Sequence, residues 1–292
     1  MERTPSKEFR ALSGERAERQ DVPVDLTADA PLARILEFEH RLALRSASTW
    51  LPCPGGFAVL SSRYPLSHFH NRLVVTATAG APGAGEVIDA ADALLGAAGH
   101  RHRQVSVVDG ALADAWEPVF AAAGYLRQDE LVMLRDPGAP LPDAGAARAV
   151  PYRVLRDAVV ARWRADLLEA TGREAVEAAR QLADRAELVH AACTVTHHAV
   201  LLPDGSPAAH CDLYRDAGVA QVENVLTHHG HERRGHARAV IGHALATALA
   251  GDGAPPADLV YLRADAADWP RHFYRRIGFR QIARGASFLR FG

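Results

Sequence analysis

Residues 220–250 read AQVENVLTHHGHERRGHARAVIGHALATALA, and their interpretation decides the fold. The first eight, Ala220 to Thr227, predict a strand with Val222, Asn224 and Leu226 on one face and Glu223 and Val225 on the other. From Ala237 onward the apolar residues Val240, Ile241, Ala244, Leu245 and Ala248 recur at helical spacing, which predicts a strong helix. Between the two lies HHGHERRGHA, a turn of small and basic residues. A strand that passes through such a turn into a helix leaves the first helical amides without intrahelical acceptors, and the helix dipole adds positive potential there. That end suits a di- or triphosphorylated group. Gly235 has no Cβ and lets the backbone approach a ligand closely, and Ala237 keeps the next turn small. Arg233, Arg234 and Arg238 add charge where it opposes the dipole, which a bound anion would explain. The alternative is a basic helical turn that forms only a solvated face.

Working outward, the strand-like runs CTVTHHAVLL (193–202) and AAHCDLYRD (208–216) are joined by the turn PDGSP. After the long helix come a strand LVYLRA, a helix WPRHFYRRIG and a strand FRQIARGASFLRF. Upstream, PYRVLR (151–156) is expected to be a strand, followed by two helical stretches to about residue 189. The first half reads helix (31–46), strands GFAVLSS and NRLVVTA, helix EVIDAADALLGAAG, strand QVSVVD, short helix ALADAWEPVFAAAG and strand YLRQDELVML. The segment PGAPLPDAGAA, residues 137–147, is rich in Pro, Gly and Ala and reads as a linker.

The C-terminal half resembles the GNAT-type N-acetyltransferase superfamily over residues 149–292. The matching blocks are AQVENVLT, the loop E-R-R-G-H-A (232–237) against the family's Q/R-x-x-G-x-G/A, and FYRRIGF (273–279) against F-Y-x-x-x-G-F. Glu232 departs from the family's Gln or Arg. The resemblance implies an α/β (α+β) fold, with a mixed, mostly antiparallel sheet flanked by helices, and acetyl-CoA as co-substrate. It implies pyrophosphate on the amides around Arg233, Arg234, Gly235, His236, Ala237 and Arg238, and a pantetheine arm along Asn224, Val225, Leu226 and Thr227. Asp265 and Phe273 are expected to border the same site.

Transfer of an acetyl group to an amine asks for two groups. A protonated amine must lose a proton before it attacks a thioester, and Glu223 is placed to take it directly or through water. An ordinary Glu value of ~4.3 is low for this, so burial or a water relay is required. The alternative is that Glu223 is a cross-strand ion-pair partner. The leaving thiolate needs a donor, and Tyr274 stands at the family's position for one; alternatively it is a packed aromatic. A backbone amide near Val225 or Leu226 is a candidate oxyanion donor. His228 or His229 is a second candidate base.

The halves echo each other. QVSVVD, then Phe120, Gly124 and Tyr125, parallels LVYLRAD, then Tyr274, Gly278 and Phe279; Gly83-x-Gly85 parallels Gly235-x-Ala237. This pattern points to a tandem duplication whose N-terminal copy is degenerate. Phe120 lacks the phenol of Tyr274, Arg72 stands about where Glu223 stands, and Glu86 and Asp89 would repel phosphates. The expected organisation is a mobile polar arm (1–30), a degenerate GNAT-like domain (31–136), a linker (137–148) and an acetyl-CoA-binding catalytic domain (149–292).

Composition narrows the function classes. Hydrophobic residues make up 48% of 292, enough for sizeable cores, and the formal net charge is −2, so no basic excess favours nucleic acid or an anionic membrane. The N-terminal stretch is charged, without the apolar core of a signal peptide, and a cytoplasmic protein is expected. Lys7 is the sole lysine and the other basic residues are Arg, a bias expected of a GC-rich bacterial genome. Cys53, Cys193 and Cys211 are isolated, and the scattered histidines (His197-His198, His228-His229-x-His231, His100-x-His102) lack metal-site spacing, so no metal is expected. Trp163 and Trp269 are expected in a core or cleft wall. The reading is an acetyl-CoA-dependent N-acetyltransferase acting on a primary amine of a small molecule or peptide by direct transfer, as a monomer or homodimer. The rival is a non-catalytic acyl-CoA-binding or regulatory protein on the same fold.

Overall fold

A computed structural model describes residues 30–77, 80–167, 172–267 and 270–292. The expected arm at 1–30 therefore lies outside the described residues, save Ala30, and so does Trp269. The first half runs α1 (Ala30–Ser46), β1 (Thr49–Cys53), β2 (Gly56–Leu60), a 3₁₀ turn (His68–His70), β3 (Arg72–Val75), α2 (Ala84–Ala97), β4 (His102–Val107), α3 (Gly110–Ala122) and β5 (Leu126–Arg135). The second runs β6 (Arg148–Val150), α4 (Tyr152–Asp166), α5 (Gly172–Asp184), α6 (Ala186–Ala192), β7 (Thr194–Leu201), β8 (Pro207–Asp216), β9 (Val219–Thr227), α7 (His236–Ala250), β10 (Leu259–Asp265), α8 (Pro270–Arg276) and β11 (Phe279–Phe291).

One expected element is wrong. PYRVLR is not a strand but the start of α4, with Pro151 as its N-cap. Apolar residues at 150, 152 and 154 mimic a two-residue period, whereas Leu155, Val159 and Trp163 carry the four-residue one. Proline's fixed φ suits a helix start, and the true strand, β6, lies just before it.

All eleven strands among the described residues form one mixed, mostly antiparallel sheet in the order β1-β2-β3-β4-β11-β5-β10-β9-β8-β7-β6. Two strands cross between the halves. β5, made in the first half, pairs antiparallel with β10, Tyr261 opposite Leu134 through Asp265 opposite Glu130. β11, made last, lies between β5 and β4, with Ala286 opposite Val107 and Phe291 opposite His102. Each half is thus completed by the other's final strand.

Helices cover both faces. On one, α7 and α8 bury Val240, Ile241, Leu245 and Tyr274 against Leu131, Met133, Val222 and Leu262; α2 and α3 bury Val87, Leu95, Trp116 and Phe120 against Leu73, Val105 and Phe288. Each large side chain so enclosed contributes about 1.5–3 kcal/mol relative to exposure. On the other face α1 spans the junction, packing Ile35 and Phe38 on Val132, Leu134 and Tyr261, while Phe57 and Val74 meet its C-terminal part. The linker is fixed rather than free. A Cβ at Gly242 of α7 would stand 2.4 Å from the Pro142 carbonyl oxygen, so only glycine lets this segment cross the helix there.

Candidate active site

The site grows from a fork in the sheet. β9 and β10 pair in parallel from Val219–Leu259 to Val222–Leu262, and no further. Beyond that point β10 continues along β5, and β9 continues along β8. The edge of β9 from Glu223 to Thr227 that faces β10 therefore has no strand partner among the described residues.

A bulge marks the same point. The β8–β9 register shifts between His210–Leu226 and Asp212–Glu223. Asn224 absorbs the extra residue with φ 52°, a conformation asparagine tolerates better than most. Its Nδ2 donates to Asp212 Oδ2 at 2.7 Å and lies 3.1 Å from the Tyr214 hydroxyl. Strict alternation along β9 thus fails: Asn224 turns to the face of Glu223 instead of joining Val222. Asp212 is buried, which alone would raise its carboxyl, but hydrogen bonds from His197 (2.6 Å) and Asn224 hold it below the usual range.

Glu223 opens into a cavity of about 300 Å³ on the α1 and α4–α6 side of the sheet. Gln221 Nε2 donates to its Oε1 at 2.6 Å, and the Asn224 amide donates to Oε2 at 3.3 Å. Gln221 is itself oriented by the Tyr261 hydroxyl, which donates to its Oε1 at 2.8 Å. Desolvation by the surrounding walls pushes the Glu223 carboxyl up to about 7. No ion pair holds Glu223 among the described residues, so the cross-strand-partner alternative does not describe it. Asn224, Val225 and Leu226 line the same cavity.

Thr227 leads into the loop. Arg233 has φ 60°, and Gly235, the N-cap of α7, has φ 83° with open space where a Cβ would be. The glycine is needed for its conformation. The amides of Arg233, Arg234 and Gly235 find no acceptor among the described residues, and those of His236, Ala237 and Arg238 lie in the open first turn. Arg233, Arg234 and Arg238 are exposed, without a carboxylate partner among the described residues. Glu232, at the departure from the family pattern, folds back so that the Gly230 amide donates to it at 2.9 Å; it shapes the turn from behind.

The corresponding helix start in the first half is closed. The Gly83 amide at the head of α2 donates to Glu86 at 2.7 Å, so a carboxylate of the chain occupies that end. Asp89 lies one turn further along α2. Phe120, Tyr274's counterpart, is fully buried and stacked on Phe288 with centroids 4.3 Å apart. Arg72 is not the register equivalent of Glu223. It precedes the parallel stretch Leu73–Val105 to Val75–Val107, whereas Glu223 follows the parallel stretch of its own half. Arg72 instead faces a smaller cavity that shares Leu42, Phe69, Gln221 and Glu223 with the first.

Tyr274 is 8% exposed and lies on the α7 face, its ring against Phe273 and Phe279. It does not line the cavity of Glu223; the two approach the fork from opposite faces of the sheet. The packed-aromatic alternative thus describes its ring. Phe273 packs on the same core. The Asp265 carboxylate accepts from the Ala267 amide at 2.8 Å and from Gln128 at 2.9 Å, holding the end of β10. His228 touches His210 (3.1 Å) and is depressed by burial; His229 is exposed, 3.5 Å from Glu232. The described residues contain no group of three or more His, Cys, Asp or Glu placed to hold a metal ion, and no helix is long and apolar enough to cross a membrane. Sequence reasoning missed Asp212, Gln221 and Arg185, because only the cross-strand register and the α5–α6 packing bring them to the cavity.

No family model and no curated protein matches the chain. Solved structures do. A GCN5-related N-acetyltransferase from Kribbella flavida superposes with a TM-score of 0.61 at 19% identity, covering 91% of this chain and 96% of that one. A functionally unknown conserved protein from Staphylococcus epidermidis gives 0.61 at 10% identity, covering 83% and 93%. A GCN5-related N-acetyltransferase from Sphaerobacter thermophilus gives 0.52 at 16%, covering 81% and 76%. The fold is that of the GNAT-type N-acetyltransferases.

Proposed function

We propose that the chain is an acetyl-CoA-dependent N-acetyltransferase that moves the acetyl group directly to a primary amine of a small molecule or peptide. In this reading residues 149–292 form the catalytic unit and residues 31–136 a degenerate copy. The observation that carries the reading is the β9 edge, unpaired among the described residues, which leads from a desolvated carboxyl at Glu223 straight into a helix start with open amides and three arginines that have no carboxylate partner among those residues. Edge, carboxyl and anion site are what a phosphorylated thioester and an amine would require together.

The residues present fit acetyl-CoA. The amides of Arg233 to Arg238 would hold its pyrophosphate, and residues 224–227 its pantetheine arm. Bound there, it supplies the acetyl group as a thioester. Glu223, poised near neutrality, removes the ammonium proton of the acceptor, whose nitrogen then bonds to the acetyl carbon as the carbon–sulfur bond breaks. Tyr274 gives a proton to the departing sulfur from the opposite face, and the second proton that the nitrogen sheds as the amide forms passes to solvent, which reprotonates the phenol. A backbone amide at Val225 or Leu226 supports the carbonyl oxygen.

Acetyl-CoA titration followed by an amine panel, read by CoA thiol release and by mass of the acceptor, tests this. Acceptor acetylation is expected. Tight acetyl-CoA binding with no acetylated amine would favour the non-catalytic binding protein instead.

A further inference from the structure

The cavity beside Glu223 has an apolar body, formed by Leu42, Phe69, Leu155, Val159, Leu182 and Val189. Its charged groups are mostly matched internally. Asp166 accepts from Arg162 at 2.7 Å, Asp212 is bonded by His197 and Asn224, and Glu223 by Gln221 and the Asn224 amide. Just outside, Asp184 is held bidentately by Arg156.

Arg185 is the exception. It lines the cavity, its guanidinium 5.1 Å from the Trp163 ring centroid, and Nη1 donates to Ser67 Oγ at 2.9 Å. It has no carboxylate partner among the described residues. Arg72 repeats the pattern in the adjoining cavity. It lies over Phe69 at 3.7 Å with its Nε buried and unbonded, while Glu39 and Glu130 pair with Arg263 instead. Two guanidiniums, one in each of the adjoining cavities, thus lack a paired carboxylate among the described residues, where the nearby carboxylates are engaged elsewhere. A desolvated guanidinium without a counter-ion is costly, and a carboxylate ligand answers it with charge-assisted, often bidentate hydrogen bonds.

We infer that the acceptor carries a carboxylate as well as its amine, and that Arg185, supported by Arg72, binds that carboxylate while the apolar walls take the acceptor's side chain. The inference rests on the acetyltransferase reading and gives its acceptor a class: an apolar amino acid with a free α-amine and α-carboxylate.

Product analogues test it without turnover. N-acetyl-leucine and N-acetyl-phenylalanine are titrated calorimetrically into the full chain beside their carboxamides. The carboxylates are expected to bind roughly 10- to 100-fold more tightly, the range of a charge-assisted pair. Arg185→Gln should bring the ratio near one, Arg72→Gln should lower it severalfold, and Arg185→Lys should keep part of it. Ser67→Ala removes the tie to the 3₁₀ turn but leaves the guanidinium, and should keep the preference. Equal affinities, no binding of any of the four, or a preference that survives Arg185→Gln overturns the inference. Acetylation of amines regardless of a carboxylate would sink it and leave the enzyme. A carboxylate preference in a chain that acetylates no amine would instead sink the activity and leave the anion subsite.

Discussion

Asn224 donates to Asp212 across the β8–β9 ladder at 2.7 Å, and this bond pins the bulge at which β9 leaves β10. Truncating Asn224 to Ala leaves a buried carboxylate short of a donor and a positive φ on a residue that resists it. Unfolding experiments should show a loss of about 1–3 kcal/mol. Asn224→Gly, free of the φ penalty, should lose less. Equal losses would show that the backbone conformation is not under strain.

Glu223 sets a pH dependence. Its carboxyl titrates near 7 in the folded chain against 4.5 ordinarily. Below about pH 4.5 both states hold the proton. Between 4.5 and 7 the unfolded chain ionises while the folded chain does not, so stability falls as pH rises, and the loss is complete above 7. Glu223→Gln should abolish that slope and be the more stable protein at pH 8. Turnover should rise through pH 7 in the native chain, and the variant should be slower by ~10²–10⁴-fold without that limb. A variant with an unchanged pH–rate profile would remove Glu223 from the chemistry.

Of the two corresponding helix starts the one at α7 is open and the one at α2 is closed by Glu86, so calorimetry should count one CoA per chain. Saturation at about 100 times the dissociation constant should stabilise the fold by roughly 2.7 kcal/mol. Gly235→Glu adds a carboxylate and a side chain at φ 83° and should eliminate the shift. Glu86→Gln should leave the stoichiometry at one; two equivalents would show that the α2 start also takes the ligand.

Tyr274→Phe removes one oxygen and should lower kcat with little change in acetyl-CoA affinity. Phe120→Tyr is a different matter. The site is fully buried against Phe288, so the added hydroxyl should cost about 1–3 kcal/mol while the rate per folded molecule holds. A lower rate per folded molecule in Phe120→Tyr would give the first half a part in the chemistry.

Severing the chain within residues 137–147 should yield two fragments that do not fold alone, because each lacks its closing strand. Co-expressed, they should assemble into one soluble complex. A soluble, cooperatively melting fragment 141–292 by itself would contradict the dependence on β5.

The legible parts of this protein are local. Strand, loop and helix at 220–250 and the block FYRRIGF carry their signals within a few residues, so the open helix start and the aromatic helix could be read directly. PYRVLR misled because Val150, Tyr152 and Val154 imitate a strand's period. The rest depends on register. Asp212 reaches Asn224 only through a bulge, and Arg185 reaches the cavity only through the packing of α5 and α6. The exchange of β5 and β11 has no local mark, since either strand would satisfy either half by its own pattern.

On the ribosome the exchange becomes a matter of time. β5 is synthesised roughly 150 residues before β11, and at about 5–20 residues per second the nascent chain carries open edges on β4 and β5 for some 10–30 s. Unpaired edges recruit strands, and the β11 of a neighbouring polypeptide fits as well as its own. Crowded polysomes should therefore produce reciprocally swapped dimers, and a chaperone that shields those edges should decide the yield of monomer.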